Sequence, residues 1–391
     1  MSVRCVFGFL VALGLMVSPA FAGGGLACVN EPPIPDCAGV SPWVPLSAGF
    51  GGNASLSTTV DTANGNMRVC FAAGGQFPCG AALRFWHNSR DSRTYPCGVG
   101  RTHLYNVMLL VNPGEWPEVP VRIVLGNGYR VDFDENLDGT YRGAPGVFSR
   151  LYKDPDGSFR LYTNDSPDMV DDGSVLYSFG PVDTSGRARL QSITTSFGTT
   201  RLYYVQSGNG VGEVARVVED STGYEATFTY DAQGRLASVT SMDDVTTTFT
   251  YDASGNISQA GSSWGVLTFG YDASHNITSL TDGLGGHSAD ITYASSARCS
   301  SFRDTSNNIT DFSYTTDARD RILTTTFGPR GMSPTVHEIT TNGLVASVAP
   351  PGQQKMCYTY SADKCLAGQS QCAMASGIKL ASANISKDLT H

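Results

Sequence analysis

Charge is scarce in this chain: of 391 residues only 26 are Lys or Arg and 35 are Asp or Glu. The balance is acidic, −9 at neutral pH, and no basic run or stripe occurs. That excludes the clustered phosphate contacts on which nucleic-acid binding rests. Past the N-terminus no apolar stretch approaches the roughly 18 residues a membrane helix needs. No Cys-x-x-Cys or His-x-x-x-His spacing exists, so zinc lacks its usual ligand pattern. A phosphate loop and a long helical face with paired Glu and Lys are also missing. What is abundant is Gly (44), Tyr (17), Thr and Ser, a mixture suited to many short strands joined by tight turns.

Residues 1–22 read as a secretory signal peptide. Arg4 supplies the positive start, "CVFGFLVALGLMV" the apolar run, and "AFA" ending at Ala22 the small-x-small cleavage site. The mature chain is expected to begin at Gly23 and to be secreted, periplasmic or at the cell surface. A lipidated Cys28 fits poorly, because Gly25 stands where the lipoprotein box wants a branched apolar residue. Removing the leader leaves nine of the ten cysteines, which in an oxidising compartment tend to pair. An odd count leaves one free thiol or one intermolecular partner. Spacings of nine, nine and seven (28/37, 70/79, 365/372) allow local bridges, and Cys28–Cys37 is the expected one.

The phrase "TFTYDASGNIS" at 248–258 has near copies on both sides. Tyr230-Asp231-Ala-Gln-Gly234 is followed by Tyr251-Asp252-Ala-Ser-Gly255 and Tyr271-Asp272-Ala-Ser-His275, then by an eroded copy at Tyr293 and another at Tyr314 whose turn reads as two residues longer. The tyrosines stand 21, 20, 22 and 21 residues apart, and weaker echoes occur at Tyr204, 340–348 and 358–366. Such periodicity marks an array architecture. "TFTY" alternates like a half-buried strand. Asp then bonds the backbone ahead of it, and Gly or Asn accepts φ > 0. Each unit is a hairpin of about 20 residues that cannot stand alone in water, so stacked neighbours must cover one another.

Tyr-Asp-x-x-Gly-[Arg/Asn]-[Leu/Ile] at this pitch resembles the YD repeat of the RHS and teneurin superfamily, over about residues 200–366. Earlier segments, "TANGNMRV" (62–69), "LRFWHNSRD" (83–91), "VRIVLGNGYRVDF" (121–133), "GTYRG" (139–143) and "RLYKDPDGSFRLY" (150–162), resemble the lead-in of bacterial RHS proteins. The resemblance implies an all-β fold in which strands spiral into a hollow shell, which in toxin-carrying members encloses a C-terminal effector. It also implies glycan binding as a property suggested for the family. The shell's conserved tail, a stretch like "RYYDPxxGRF", is missing, and seven or so units are fewer than a closed shell needs, so an open arc is expected. The expected divisions are a signal peptide at 1–22, a linker at 23–40, a β lead-in at 41–200, the repeat array at 201–366 and a tail at 367–391.

Candidate chemistry is thin. "GSSWG" (261–265) matches the nucleophile elbow around Ser263, but that motif requires a following helix, and "VLTFGYD" reads as strand. His275, His287 and His337 read as surface histidines at turns or strand edges, and His87, in "FWHNSRD", as a packed one. Asp134, Asn136 and Asp138 reproduce the first half of a calcium loop, while the twelfth position holds Pro145 in place of an acid. An ordinary Asp/Asn/Gly turn explains the same letters. The repeat tyrosines read as cross-strand packing rather than a sugar platform. No catalytic residue and no cofactor is expected. The reading is a non-enzymatic structural or interaction module with a protein or carbohydrate partner at the cell envelope. The alternative is a partial shell that encases or exports a C-terminal toxin.

Overall fold

The structure, a computed structural model, describes residues 42–46, 56–78, 82–114, 118–144, 147, 149–163, 175–196, 198–263, 265–283, 288–361 and 366–372. Strands dominate, and no α-helix occurs among these residues. No helix there is long and apolar enough to cross a membrane. The leader, Cys28 and Cys37 lie outside the described residues.

A ring of eight strands stands where the lead-in meets the array. It runs Met108–Val111, Val121–Val124, Arg130–Glu135, Tyr141–Gly143, Arg150–Lys153, Phe159–Tyr162, Leu176–Phe179 and Arg187–Thr195. Arg187–Arg189 pairs back onto Met108–Leu110, while Ser192–Thr195 pairs onward with Gly198–Arg201. One nine-residue strand therefore closes the ring and launches the array. Alternation makes this possible: Phe133, Phe159, Leu161, Phe179, Ala188 and Leu190 turn inward and are buried together.

From there antiparallel hairpins follow in chain order, ending on Met356–Tyr360 paired with Leu366–Gln371. Among the described residues no register joins that last strand to Met108–Val111, so over these residues the array is an open arc continuing from a closed ring. The units share a defect. The register slips at Thr229/Tyr230, Thr250/Tyr251, Gly270/Tyr271, Thr292/Tyr293 and Thr359/Tyr360. A bulge at the same place in each hairpin adds bend and right-handed twist unit after unit, which curves the array. In the copy at Tyr314 the slip falls at Thr315/Thr316 and the turn Asp317–Arg321 has ordinary length. The two additional residues lengthen the strand, Ile309–Thr316, rather than the turn as the sequence suggested.

The turns hold the backbone their residues allow. Gly234 and Gly255 have φ of 76° and 82°. At Gly255 a Cβ would meet nothing within 4 Å, so a substitution there tests backbone strain alone. Gly255→Val should cost more than about 1 kcal/mol, because a β-branched residue resists left-handed backbone, whereas Ser254→Ala should cost a few tenths. Equal unfolding midpoints for the two variants would defeat this account.

The stretch 41–200 contains a second structure. Trp43–Leu46, Leu56–Asp61, Met67–Ala72, Arg84–Asn88 and Arg101–His103 form a separate five-stranded antiparallel sheet. This sheet lies on the array face that carries Phe228, Phe249 and Phe269, and both belong to one buried core.

Candidate functional site

The repeat motif is a set of hydrogen bonds. In the turns that keep the Asp, its Oδ1 accepts backbone amides two and four residues ahead, as Asp252 does from Ser254 and Asn256, and Asp231 from Gln233 and Arg235; the unit at Tyr293 has Ala294 there instead. The second oxygen takes the side chain four residues on: Arg235 on Asp231, Asn256 on Asp252, Asn276 on Asp272, Arg321 on Asp317. This is why the position after Gly is Arg or Asn. Burial alone would raise the Asp231 carboxyl, but the bonds from Arg235 and from the backbone outweigh it and hold it below the ordinary carboxylate range.

The tyrosines occupy equivalent places and do one job. Tyr230, Tyr251, Tyr271, Tyr293 and Tyr314 are half-buried, and their hydroxyls donate to the carbonyls of Val214, Leu236, Ile257, Ile277 and Cys299 at 2.7–2.8 Å. Tyr204 and Tyr360 repeat the bond onto Leu190 and Val345. The acceptor for Tyr251, Tyr271, Tyr293 and Tyr314 is the residue paired with the preceding unit's tyrosine, at its bulge. Each unit is thereby tied to the one before it. Desolvation pushes the phenol of Tyr251 well above its ordinary range, so it stays a donor. Tyr251→Phe should destabilise by about 1–3 kcal/mol, since a buried carbonyl loses its donor. An unfolding free energy within error of wild type would show the bond to be incidental.

The five-stranded sheet meets the array in an aromatic seam. Phe71 packs on Phe269 at 5.4 Å between ring centroids, Phe85 on Phe249 at 5.1 Å, and His103 on Phe228 at 5.6 Å. Arg101 is fully buried there, with its guanidinium 4.4 Å from the Phe269 centroid and a 3.1 Å bond to the Tyr271 hydroxyl. Polar ties surround the rings. Leu236 and Met242 donate their amides to the carbonyls of Pro96 and Gln76, Thr325 donates to the Thr62 carbonyl, and Thr62 Oγ1 lies 3.0 Å from His337 Nδ1. His337 is thus buried rather than at the surface, because the sheet covers its strand. Burial pushes both His103 and His337 down to about 4. His87 is buried as expected, with its ring edge-on to Tyr271.

At one margin of the seam, the loop after Arg84–Asn88 faces two successive array turns across a cleft of about 520 Å3. His87, Arg90, Asp91, His275 and Ser296 are among its walls. His275 sits in its turn at φ 65°, half-buried, with Nδ1 2.8 Å from Asn256 Oδ1 of the preceding turn. Sequence reasoning missed this cleft and Arg101, since no local motif records which turn meets which strand.

Other candidates are dispersed. Ser263 is exposed in a tight hairpin followed by the strand Gly265–Tyr271, so it has no elbow. Asp138 accepts both the amide and the hydroxyl of Thr140, and Asn136 donates to that hydroxyl, while Asp134 lies in the ladder opposite Arg142. The calcium trio is therefore a self-satisfied turn, and no group of three or more His, Cys, Asp or Glu able to hold a metal occurs among the described residues. His287 lies outside them.

The cysteine expectations need correction. Cys357 pairs with Cys372 across the last hairpin, Cα to Cα 5.2 Å, so 365/372 is not a bridge. Cys70, Cys97 and Cys299 are free and buried, which removes 70/79 as well. Their burial in strands or at the seam keeps them from any partner thiol. Alkylation of the denatured, unreduced protein should reach at least three thiols rather than one; labelling of one or none would contradict this arrangement.

Residues 230–263 match the family described as RHS Repeat. No curated protein sequence matches the chain. Among solved structures, TcdB2-TccC3 aligns with 82% of this chain and 20% of its own, at 12% identity and a TM-score of 0.33. The Photorhabdus luminescens Tc holotoxin pore aligns with 80% of this chain and 21% of its own, at 11% identity and 0.32. This chain thus spans about a fifth of the length of those proteins. Likeness that slight adds nothing to what the strand pairing and the matched repeat establish. The tyrosine bond of the matched unit recurs on both sides of it, at Tyr204 before and at Tyr271 and Tyr293 after, so the RHS repeat at 230–263 is one of a series of like units.

Proposed function

We propose that this protein is a secreted, non-enzymatic RHS-type structural or interaction module that binds a protein or glycan partner at the bacterial envelope or outside the cell. The observation that carries the reading is the seam. One face of the array is occupied by the chain's own five-stranded sheet, which leaves the opposite face for a partner. That opposite face bears hydroxyls paired across the ladder, Thr229 with Ser238, Thr250 with Ser258 and Thr292 with Ser301. Rows of hydroxyls, interspersed with exposed ion pairs such as Arg216–Glu225 and Arg303–Asp290, suit hydrogen-bonded contact with a polar surface. Among the described residues, Ser263, the calcium trio, His87, His275 and His337 are not assembled into a constellation with nucleophile, base and orienting group.

The alternative, a partial shell encasing a C-terminal toxin, needs room on the covered face. Phe71 and Phe85 fill that room along the units at Phe249 and Phe269. The test is a pull-down with the mature exported protein on envelope extracts and a glycan array, with N-terminal sequencing of the bait. A start near Gly23 and a saturable partner support the module. A cytosolic, uncleaved Met1 start, or capture of nothing but a C-terminal effector fragment, would overturn it.

A further inference from the structure

The array ends on a strand edge that differs from the other edges of the molecule. Among the described residues, Leu366–Gln371 pairs on one side only, with Met356–Tyr360. The five-stranded sheet manages its own two edges: Trp43–Leu46 carries Pro45 in its middle, and Arg101–His103 is buried along its whole length. Proteins blunt edges with proline, charge or cover, because an open one templates pairing with another chain. Residues 367–371 read Ala-Gly-Gln-Ser-Gln, without proline or charge, and all but Gly368 are exposed.

The ladder decides which groups this edge presents. The Cys372 amide donates to the Lys355 carbonyl at 2.9 Å, and two positions back Ser370 stands opposite Cys357. Bonded and unbonded pairs alternate in an antiparallel ladder, so Gly368 and Ser370 bond inward. Ala367, Gln369 and Gln371 then turn their amides and carbonyls away from the array. The Cys357–Cys372 bridge crosses this hairpin and holds its register. Gln369 also stands where the earlier return strands bury Val239, Ala260, Leu280 and Phe302. The row of buried apolar residues has given way to glutamine, so the edge suits a polar strand rather than an apolar one.

We propose that this edge joins a second copy of the chain, strand 366–371 against the same strand, antiparallel and centred on Gln369. The array's ladder is antiparallel throughout the described residues, so the contact continues it across a two-fold axis. In that register every outward group meets an outward group: Gln369 faces the partner's Gln369, and Ala367 faces the partner's Gln371. Gly368 lies opposite the partner's Ser370, where neither side chain obstructs. A symmetric pair sets like against like at its centre, which a charge would oppose and which glutamine, donor and acceptor at once, satisfies. So short a strand buries less than a standard interface, so the dimer is weak and concentration-dependent. The edge is separate from the array's hydroxyl face, and the proposal does not rest on the binding function proposed above.

Sedimentation velocity of the full mature protein, from about 1 to about 100 µM, tests the contact in the range of weak association. The wild type should pass from monomer to dimer, and the Gln369 and Gln371 amides should gain hydrogen-exchange protection as it does. Gln369→Pro removes one outward amide and no bond within the array, so it should weaken dimerisation by about tenfold or more with an unaltered melting profile. Gln369→Lys and Gln369→Glu should each stay monomeric, because like charges meet at the axis, and an equimolar mixture of the two should dimerise. A wild type that remains monomeric, whether its edge amides exchange freely or are protected by its own chain, would overturn the proposal. So would undiminished dimerisation in Gln369→Pro, or a mixture no more associated than its two components.

Discussion

A chain lacking residues 42–103 should lose solubility and bind an apolar dye, even though every YD turn remains. Deleting the five-stranded sheet uncovers Phe228, Phe249 and Phe269, each 4–6% exposed in the intact chain, together with Ile291 and Phe312 along the same face. Burial of one such side chain contributes about 1.5–3 kcal/mol, so three phenylalanines alone account for roughly 5–9 kcal/mol. The uncovered face would also form a contiguous apolar patch of the kind that drives association. Size-exclusion chromatography and dye binding measure both effects. A monomeric, dye-silent array with the parental melting temperature would mean that the sheet is an appendage. It would also restore the shell reading, because the covered face would then be stable when empty.

Acid should loosen the same seam. The ordinary pKa of a histidine is near 6.5, and burial pushes His103 and His337 down to about 4, while burial also holds His87 well below its ordinary value. Between these values the unfolded chain binds more protons than the folded one, so stability falls as pH drops from about 6.5 toward 4. A shift of about 2.5 units corresponds to roughly 3.4 kcal/mol per group, or about 7 kcal/mol for His103 and His337 together, as an upper bound. Asp61 works against this. Burial, countered in part by the Ala63 amide and by Arg68, raises its carboxyl to about 6. The folded chain therefore keeps a proton that the unfolded chain gives up above about 3.8, which adds about 3 kcal/mol as pH falls through the same window. The net expectation is a loss of several kcal/mol by about pH 4, with a slope reduced in His103→Phe, which swaps the imidazole for a ring suited to Phe85 and Phe228. Melting temperatures between neutral pH and 4 test it. A flat profile, or a slope unchanged in that variant, would show that the histidines do not govern the seam.

The repeat was legible because its information is local. Asp252 reaches amides two and four residues ahead and a side chain four residues ahead, so spacing within one turn specifies the geometry. The same holds for left-handed Gly255, and it explains why His275 and Asp320 can replace glycine where the Asp bonds are kept or neighbouring contacts hold the turn. The tyrosines were legible as equivalent but not in their role. Their acceptors lie 14–16 residues away, across a bulge that alternation alone does not reveal. The unit at Tyr314 shows the same limit: two additional residues look alike in sequence whether they enter a strand or a turn, and the ladder placed them in the strand.

Composition and the Tyr-Asp spacing by themselves determined an all-β chain, its repeating unit and the chemistry of its turns, since all of these depend on residues within a few positions of one another. Which faces meet was decided only in three dimensions. That Phe71 and Phe85 cover Phe269 and Phe249, that Arg101 reaches Tyr271 over 170 positions, and that Thr62 meets His337 over 275 positions follow from how a separate sheet docks on a curved array. The disulfide was decided in the same way: Cys357 meets Cys372 because the last hairpin brings them together, while the nearer spacing of 365/372 does not. Hydrophobic burial is non-directional, so a pattern of apolar residues states that a face must be covered without stating by what.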